Sequence, residues 1–517
     1  MTGLPGSSDG DQIDRSNAEA VQRGHLRGSS LMMVGRVISM MINLVVQVLT
    51  VRYLGKSDYG IFAYALAMAS LGASASLLGQ DRALSRFLAM ADDDEDYGRG
   101  QGVIAVAVVT VFVLGSAIAA LAVGLHVFGI DLSSDSAAIT TMLIMLAASP
   151  LMGLDAIFAN LFAVIARPTA IFWRRHVVTP MLRLCSVLLI LVTAGSVEQL
   201  AAAYLAAAVI GVGLYVVFAR RFLQGHPLGQ HHSRSYPVGD MLRYGTPMIT
   251  SDIAVALRAA IVIILLEAMR SIDEVGAFRA VLPIAQLNLV ALQSFSILYL
   301  PAASRLFGRR DHRGVSDLYW QSAAWLAIGT FPVFVATFSL AGPTTQLLFG
   351  DEFASSANVL AVLAFGYYFS SALGLNALTL KASGNVRVVV AVDGITSLVA
   401  LALNVVLISQ FGAMGAALST TGILLLQNAL VHLGLRHVLI DFRFPAPQVG
   451  VYAWVAGGAS VLLAVELLIG PPSVVSFALG MLTTAVVLMA NHRVLAIGDV
   501  YPEAGRLPLI GRFLVAR

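Results

Sequence analysis

The sequence predicts an all-α integral membrane protein with about fourteen transmembrane helices. Of its 517 residues, 58% are hydrophobic and only 12% are charged, and the mean hydropathy is +0.83. Soluble proteins carry about 25% charged residues, so this chain has too few charges to cover a water-facing surface. Its apolar residues also fall into runs of about 20, the length that a membrane-spanning helix needs. These observations exclude a soluble enzyme and a disordered chain.

Fourteen apolar segments can be delimited by charged residues and by clusters of Gly and Pro. Runs of this length satisfy their backbone hydrogen bonds within one helix, whereas the strands of a membrane barrel would be about half as long and would alternate in polarity. In chain order the predicted segments are 29–51, 60–80, 102–125, 138–163, 176–194, 200–219, 247–266, 276–300, 319–341, 356–380, 388–410, 413–433, 449–469 and 473–491.

The first segment is expected to stay in the protein and not to be cleaved. Residues 1–28 are polar, with charges of both signs and no apolar core. The run 29–51 is too long for the core of a signal peptide, and it begins too far into the chain. We therefore expect a polar tail that leads into a retained membrane helix.

The Lys and Arg residues predict the orientation of the helices. Cytoplasmic loops of membrane proteins are enriched in Lys and Arg. With a cytoplasmic N-terminus, the inside segments contain 25 basic residues and the outside loops contain 3. A missed helix would invert every later loop and remove this asymmetry. Both termini are therefore predicted to be cytoplasmic.

A weak internal repeat predicts two lobes. Residues 58–62 (Asp-Tyr-Gly-Ile-Phe) resemble residues 274–278 (Glu-Val-Gly-Ala-Phe), at an offset of 216. Six helices in each repeat give the two halves the same orientation in the membrane. The predicted parts are a cytoplasmic tail (1–28), an N-lobe of helices 1–6 (29–219), a cytoplasmic loop between the lobes (220–246), a C-lobe of helices 7–12 (247–433), and helices 13–14 with a cytoplasmic tail (434–517).

Polar stripes on the apolar segments predict a water-filled cavity, because polar groups in a membrane must face protein or water. Arginines belong to the stripes on segments 1, 7 and 8, and Arg258 lies about 12 residues, or roughly 18 Å, into segment 7. That depth is beyond the reach of snorkelling. The planar guanidinium suits a phosphate, with which it forms two hydrogen bonds. The predicted substrate-binding residues are Arg36, Arg258, Arg279, Asn43, Gln47, Gln286 and Gln293.

Four acidic residues and one further arginine lie within the apolar segments, and one of the acids, Glu466, is expected at the membrane interface. Asp252 and Asp393 are candidates for coupling transport to an ion, and Asp155 is a weaker candidate. Arg183 has no accompanying polar stripe, so its predicted role is structural. For isolated Ser, Thr and Asn residues in such segments, hydrogen bonding between helices is the favoured interpretation.

Motifs for catalysis, metals and cofactors are absent from the sequence. Gly55-Lys56-Ser57 lacks the earlier glycine of a phosphate-binding loop, and Gly211-Val212-Gly213 favours helix packing. The single Cys185 excludes a disulfide within the chain, and a net charge of +3 is too small to indicate nucleic acid. We therefore expect no enzymatic activity, no cofactor, no metal and no nucleic-acid partner.

Several stretches resemble one known family. Residues 52–62 are similar to the signature between helices 1 and 2 of the bacterial polysaccharide flippases. Similarity to the C-terminal half of that family is found at residues 348–353, 382–385 and 411–417. The resemblance covers about residues 29–440 and extends to the plan of fourteen helices. The family belongs to a superfamily that includes multidrug antiporters and lipid II flippases.

This resemblance implies a two-lobed transporter in the bacterial cytoplasmic membrane. It would move an undecaprenyl-diphosphate-linked oligosaccharide to the outer leaflet by alternating access, for the assembly of a surface polysaccharide or exopolysaccharide. Arg36 and Arg279 fall in helices comparable to those that carry cavity arginines in lipid II flippases, whereas Arg258 departs from that pattern. Helices 13 and 14 would form a groove for the lipid tail. Expected partners are the lipid-linked oligosaccharide, membrane lipids and other membrane proteins of polysaccharide assembly.

Two other functions stay open at this stage. A cation-coupled multidrug antiporter of the same superfamily would favour acidic residues in its cavity over arginines. A membrane polysaccharide polymerase would carry a large outer loop, but the longest predicted outer loop has about 14 residues, around 343–355.

Overall fold

Helices make up all the regular secondary structure in the described part of the chain. The protein is represented by a computed structural model, which describes residues 8–130, 135–165, 168–224, 227–229, 235–439 and 445–495. Within those ranges, the description leaves out the side chains of residues 8–34, 168, 223, 229, 247–255, 259, 446–447, 493 and 495. The all-α fold predicted from the sequence is confirmed.

Within its described residues, the first half of the chain forms nine α-helices. A π-helical turn, Phe172–Val178, joins the sixth to the seventh, and a short 3₁₀ turn, Pro227–Gly229, lies before the ninth. The helices are α1 (Ser8–Leu77), α2 (Gln80–Asp93), α3 (Tyr97–Val127), α4 (Ser136–Leu146), α5 (Ser149–Val164), α6 (Pro168–Ile171), α7 (Thr179–Thr193), α8 (Val197–Leu223) and α9 (Val238–Met269).

The described part of the second half continues with ten α-helices. Three short non-α turns interrupt them: Leu287–Leu289, Val335–Ser339 and Asp351–Ser356. The helices are α10 (Ile272–Gln286), α11 (Val290–Gly308), α12 (His312–Phe334), α13 (Ala341–Phe349), α14 (Ala357–Leu373), α15 (Leu375–Ala382), α16 (Val386–Val438), α17 (Ala446–Ile469), α18 (Ser473–Ala490) and α19 (His492–Leu495).

The predicted spans agree with these helices. Eleven helical stretches in the described residues are long and apolar enough to cross a membrane. Two of them, Gly35–Asp93 and Val386–Val438, are broken by Gly55 and Gly412 and cover two predicted segments each. The predicted segment 247–266 lies on α9. The protein is therefore a multi-pass membrane protein, as predicted.

Glycine breaks both long helices, and a glutamate binds the backbone beyond each break. Gly55 has φ 71° and Gly412 has φ 57°, a conformation that glycine adopts without steric cost. The Lys56 N–H donates to Glu352 (2.6 Å), and the Ala413 N–H donates to Glu274 (2.7 Å). Each carboxylate satisfies a donor at the start of the resumed helix, where the helix dipole also favours negative charge.

Two short helices lie where the sequence predicted loops. The amphipathic α2 continues from the predicted segment 60–80 into a predicted cytoplasmic loop, and α13 occupies part of the predicted outer loop 343–355. Arg52 donates to the carbonyl groups of Leu347 (2.5 Å) and Leu348 (2.8 Å) at the end of α13. A cation at a helix C-terminus stabilises the helix, because it binds free carbonyl groups and opposes the dipole.

The chain divides into two compact units, each with its own core. Unit 1 comprises Met1–Thr50 and Ala65–Ala260, and unit 2 comprises Val51–Tyr64 and Ile261–Arg517. In the unit 1 core, Tyr215 stacks between Phe158 and Phe162, with ring centroids 5.8 and 5.6 Å apart. One core cluster of unit 2 joins α12 to α17 and α18, and Phe334 stacks on Tyr368 at 4.0 Å. The predicted lobe boundaries stay predictions.

Candidate functional site

In unit 2, the predicted substrate-binding residues begin on α10. Ser271 starts this helix by accepting a hydrogen bond from the Glu274 N–H (3.4 Å), and the helix ends at Gln286. Arg279 and Gln286 are seven residues apart, which places them on the same face. Arg279 is half-buried and Gln286 is exposed. The phenol of Tyr59 donates to the backbone carbonyl of Arg279 (3.4 Å).

Gln293 follows a short 3₁₀ turn. The 3₁₀ turn Leu287–Leu289 separates α10 from α11, and Gln293 lies exposed on α11. A 3₁₀ turn has 3.0 residues per turn instead of 3.6, so it shifts the faces of the two helices relative to each other. The predicted stripe from Arg279 to Gln293 therefore crosses a 3₁₀ turn, and the role of Gln293 stays a prediction.

Tyr367 joins this polar group from α14. Its hydroxyl accepts a hydrogen bond from Gln286 Nε2 (3.2 Å), and it is close enough to Arg279 to interact with it electrostatically. The sequence analysis missed Tyr367, although the Tyr367-Tyr368 pair inside an apolar segment is a signal that could have found it. A guanidinium, a carboxamide and a phenol together offer several hydrogen-bond donors to phosphate or sugar oxygens.

Asp393 is held by a second polar contact in unit 2. Gln427 Nε2 donates to its carboxylate (2.7 Å), and both residues lie on α16, on either side of the break at Gly412. Asp393 is half-buried. A carboxylate with one amide donor still has free lone pairs, so it can accept a proton or a cation. Gln427 is another residue that the sequence analysis missed.

In unit 1, α1 carries three of the predicted residues. Arg36 is exposed, whereas Asn43 and Gln47 are half-buried. Asn43 Nδ2 donates to the carbonyl of Ser39 on the same helix (2.7 Å). Asn43 Nδ2 also donates to the hydroxyl of Ser39 (3.2 Å), and the side-chain carbonyl oxygen of Asn43 can act as an acceptor.

Arg258 lies on α9, in unit 1. Its side chain is half-buried, and its Nε atom is buried without a hydrogen-bond partner among the residues that the structure describes. Asp252, the acidic residue predicted near it, has a side chain outside the described residues. A buried charged donor without a partner is costly, so this nitrogen needs a hydrogen-bond acceptor.

The predicted residues are thus shared between the two units. Arg36, Asn43, Gln47 and Arg258 belong to unit 1, and Arg279, Gln286, Gln293 and Asp393 belong to unit 2. Their assignment to one substrate cavity stays a prediction. Among the described residues, no group of three or more His, Cys, Asp or Glu side chains is arranged to hold a metal ion.

Sequence comparison identifies a family and a distant relative. The model of a family described as polysaccharide biosynthesis protein matches residues 25–307, which is more than half of the chain. A probable low-salt glycan biosynthesis flippase, Agl15 of Haloferax volcanii, is 22% identical over 211 residues. That match covers 40% of this chain and 44% of the relative, so the chain spans less than half the length of the curated relative it matches.

Solved structures show the same fold. The inward closed conformation of the lipid II flippase MurJ matches with a TM-score of 0.69 at 13% identity, over 90% of this chain and 99% of the other. An inward-facing multidrug resistance transporter of the MATE family matches with a TM-score of 0.59 at 14% identity, over 82% and 95%. At these identities the similarity concerns the fold alone.

Proposed function

The chain belongs to the polysaccharide biosynthesis protein family, and from this membership we propose that it is a flippase for a lipid-linked oligosaccharide. The substrate would be an oligosaccharide on undecaprenyl diphosphate, moved from the inner to the outer leaflet by alternating access. The family match, the similarity to a glycan biosynthesis flippase and the fold shared with a lipid II flippase support this proposal.

The strongest structural support for the proposal is the environment of the Arg258 side chain. Among the residues that the structure describes, the buried Nε of this half-buried arginine has no hydrogen-bond partner. A charged group within a membrane helix is costly unless it is paired, and an anion would pair with it. A diphosphate provides charge and several acceptor oxygens for guanidinium groups. We propose that Arg36, Arg258 and Arg279 bind the diphosphate, and that Asn43, Gln47, Gln286 and Gln293 bind the first sugars.

Transport in vesicles tests this proposal. Purified protein is reconstituted with a fluorescent undecaprenyl-diphosphate-linked oligosaccharide, and an impermeant quencher reports how fast the inner-leaflet lipid reaches the outside. We expect Arg258→Gln to lower that rate about tenfold or more, because charge-assisted hydrogen bonds to phosphate are lost. Arg305→Gln, which removes an exposed arginine at the end of α11, should leave the rate unchanged. Equal rates in both variants would refute the role of Arg258.

A cation-coupled multidrug antiporter is the second candidate. The fold similarity to a MATE transporter and the half-buried Asp393 support it. The family match and the similarity to a glycan flippase favour the first candidate. Uptake of a cationic drug that is driven by a proton or sodium gradient would favour the antiporter, provided that Asp393→Asn abolishes this uptake. For both the flippase and the antiporter, we propose that Asp252 and Asp393 couple transport to an ion. A membrane polysaccharide polymerase has no comparable support.

A further inference from the structure

A cavity of about 170 Å³ lies inside unit 1, and its lining includes none of the residues assigned above to substrate binding. Helices α1, α4, α5, α7 and α8 line it, together with the π-helical turn Phe172–Val178. Most of its wall is apolar, with Leu66, Leu151 and Leu182 among the lining residues. Three charged side chains also reach it: Asp155, Arg174 and Arg183.

Arg174 is fully engaged by its neighbours. It is only 4% exposed, and its Nη2 lies 2.5 Å from the carboxylate of Asp155. Its Nε donates to the carbonyl of Gly211 (3.0 Å), its Nη1 donates to the hydroxyl of Thr179, and its guanidinium lies 5.2 Å from the ring centre of Tyr215. The charges of Arg174 and Asp155 therefore compensate each other within the wall of the cavity.

Two local features of the backbone allow this burial. The π-helical turn widens the helix at residues 172–178, a device that recurs at functional sites. On α8, Gly211 leaves room for the guanidinium, because a Cβ there would lie 2.6 Å from Arg174 Cζ. Gly211 belongs to the Gly-Val-Gly motif of the sequence, whose predicted role was helix packing.

Arg183 leaves the cavity with one uncompensated positive charge. The side chain is half-buried and lines the cavity, and it has no hydrogen bond or ion pair with any residue in the described part of the chain. It lies near enough to Asp155 for an electrostatic interaction, but Asp155 is already paired with Arg174. An isolated charge in such an apolar wall is unfavourable, so the sequence-based structural role of Arg183 does not account for it.

We propose that this cavity is a binding site for a phosphate group and that Arg183 recognises it. A monoanion balances the one excess charge, and a guanidinium binds phosphate through two parallel hydrogen bonds. A cavity of roughly 150 Å³ holds one benzene molecule, so this one accommodates a phosphate and a few further atoms but no sugar chain. The phosphate belongs either to a lipid headgroup or to a free inorganic ion.

Binding to the purified full-length protein tests the proposal with three probes. Inorganic phosphate is measured by equilibrium dialysis, and dioleoylphosphatidic acid and dioleoylglycerol are measured by native mass spectrometry. Dioleoylglycerol has the same acyl chains without phosphate. We expect Arg183→Gln to weaken binding of one of the two phosphate probes about tenfold, and to leave retention of dioleoylglycerol unchanged. If Arg183→Gln weakens binding of phosphatidic acid alone, the ligand is a lipid headgroup. If it weakens binding of inorganic phosphate, the ligand is the free ion.

Control variants separate this site from nonspecific binding and from misfolding. Arg220→Gln removes an exposed arginine in the last turn of α8 and should bind both phosphate probes like the wild type. Arg183→Lys keeps the charge and should retain part of the affinity. Ala207→Leu fills the cavity without changing charge and should weaken binding as Arg183→Gln does. If Arg183→Gln binds both phosphate probes as tightly as the wild type, the proposal is wrong, whatever transport assays show.

Discussion

At the scale of single residues, Arg174 shows how a charge is accommodated inside a membrane protein. Its guanidinium is bonded to a carboxylate, a carbonyl and a hydroxyl, and it stacks near an aromatic ring. The sequence placed Arg174 beside Arg175 in a cytoplasmic loop, because two adjacent arginines ahead of an apolar run normally indicate a loop. Asp155, a lone acid deep in another segment, was the available sign that a buried cation lay nearby.

Breaking this ion pair should destabilise the protein. Arg174→Gln leaves the Asp155 carboxylate, which is 28% exposed, without its main partner. We expect a loss of about 3 kcal/mol in the free energy of unfolding, measured by denaturant titration in detergent micelles. Arg175→Gln removes an adjacent, exposed arginine and should cost far less. Combining Arg174→Gln with Asp155→Asn should restore part of the loss. Equal stability of the Arg174 and Arg175 variants would contradict this account.

At the scale of helices, the hydropathy of the sequence located all fourteen segments but not their interruptions. A run of apolar residues reports burial in lipid, whereas a 3₁₀ turn at Leu287–Leu289 or a π-helical turn at Phe172–Val178 depends on packing against other helices. The face shared by Arg279 and Gln286 was therefore predictable, and the position of Gln293 beyond the turn was not. The partners Tyr367 and Gln427 depend on tertiary contacts in the same way.

The repeated motifs identified in the sequence contact each other in unit 2. Gly60 lies against the backbone carbonyl of Ile272, a residue four positions before Gly276. In turn, Gly276 lies against the backbone carbonyl of Lys56, a residue four positions before Gly60. The contact is reciprocal, as expected for matching positions in a duplicated chain. It also gives a reason for glycine at both positions, since a Cβ on either one would collide with backbone that cannot move aside independently.

Alanine at these glycines should therefore be destabilising. Gly60→Ala and Gly276→Ala each force the two backbones apart, and we expect each to cost about 1–3 kcal/mol in the free energy of unfolding. Gly329→Ala on α12 is the matched control, because a Cβ there meets nothing within 4 Å. That control should be neutral or more stable, since alanine favours a helix interior over glycine. The reverse order, with Gly329→Ala the least stable of the three, would contradict the close approach.

At the scale of the whole molecule, the distribution of charge makes the most far-reaching prediction. Low total charge identifies a membrane protein, and the asymmetry between loops assigns its sides. This asymmetry depends on the number of membrane-spanning helices, because one helix more or fewer would move every later loop to the opposite side of the membrane. We accordingly propose that both termini lie in the cytoplasm of a bacterium.

Cysteine labelling in whole cells measures this orientation directly. Cys185 is exposed, so it is first replaced by Ser, and single cysteines are then introduced by Ala354→Cys or Ser304→Cys. Ala354 lies in the predicted outer loop and Ser304 in a predicted cytoplasmic segment; both are exposed. We expect an impermeant thiol reagent to label the Ala354 variant in intact cells and the Ser304 variant only after the membrane is permeabilised. The opposite labelling pattern would place both termini outside the cell. It would then reverse the orientation in the membrane that we propose for the flippase and its arginines.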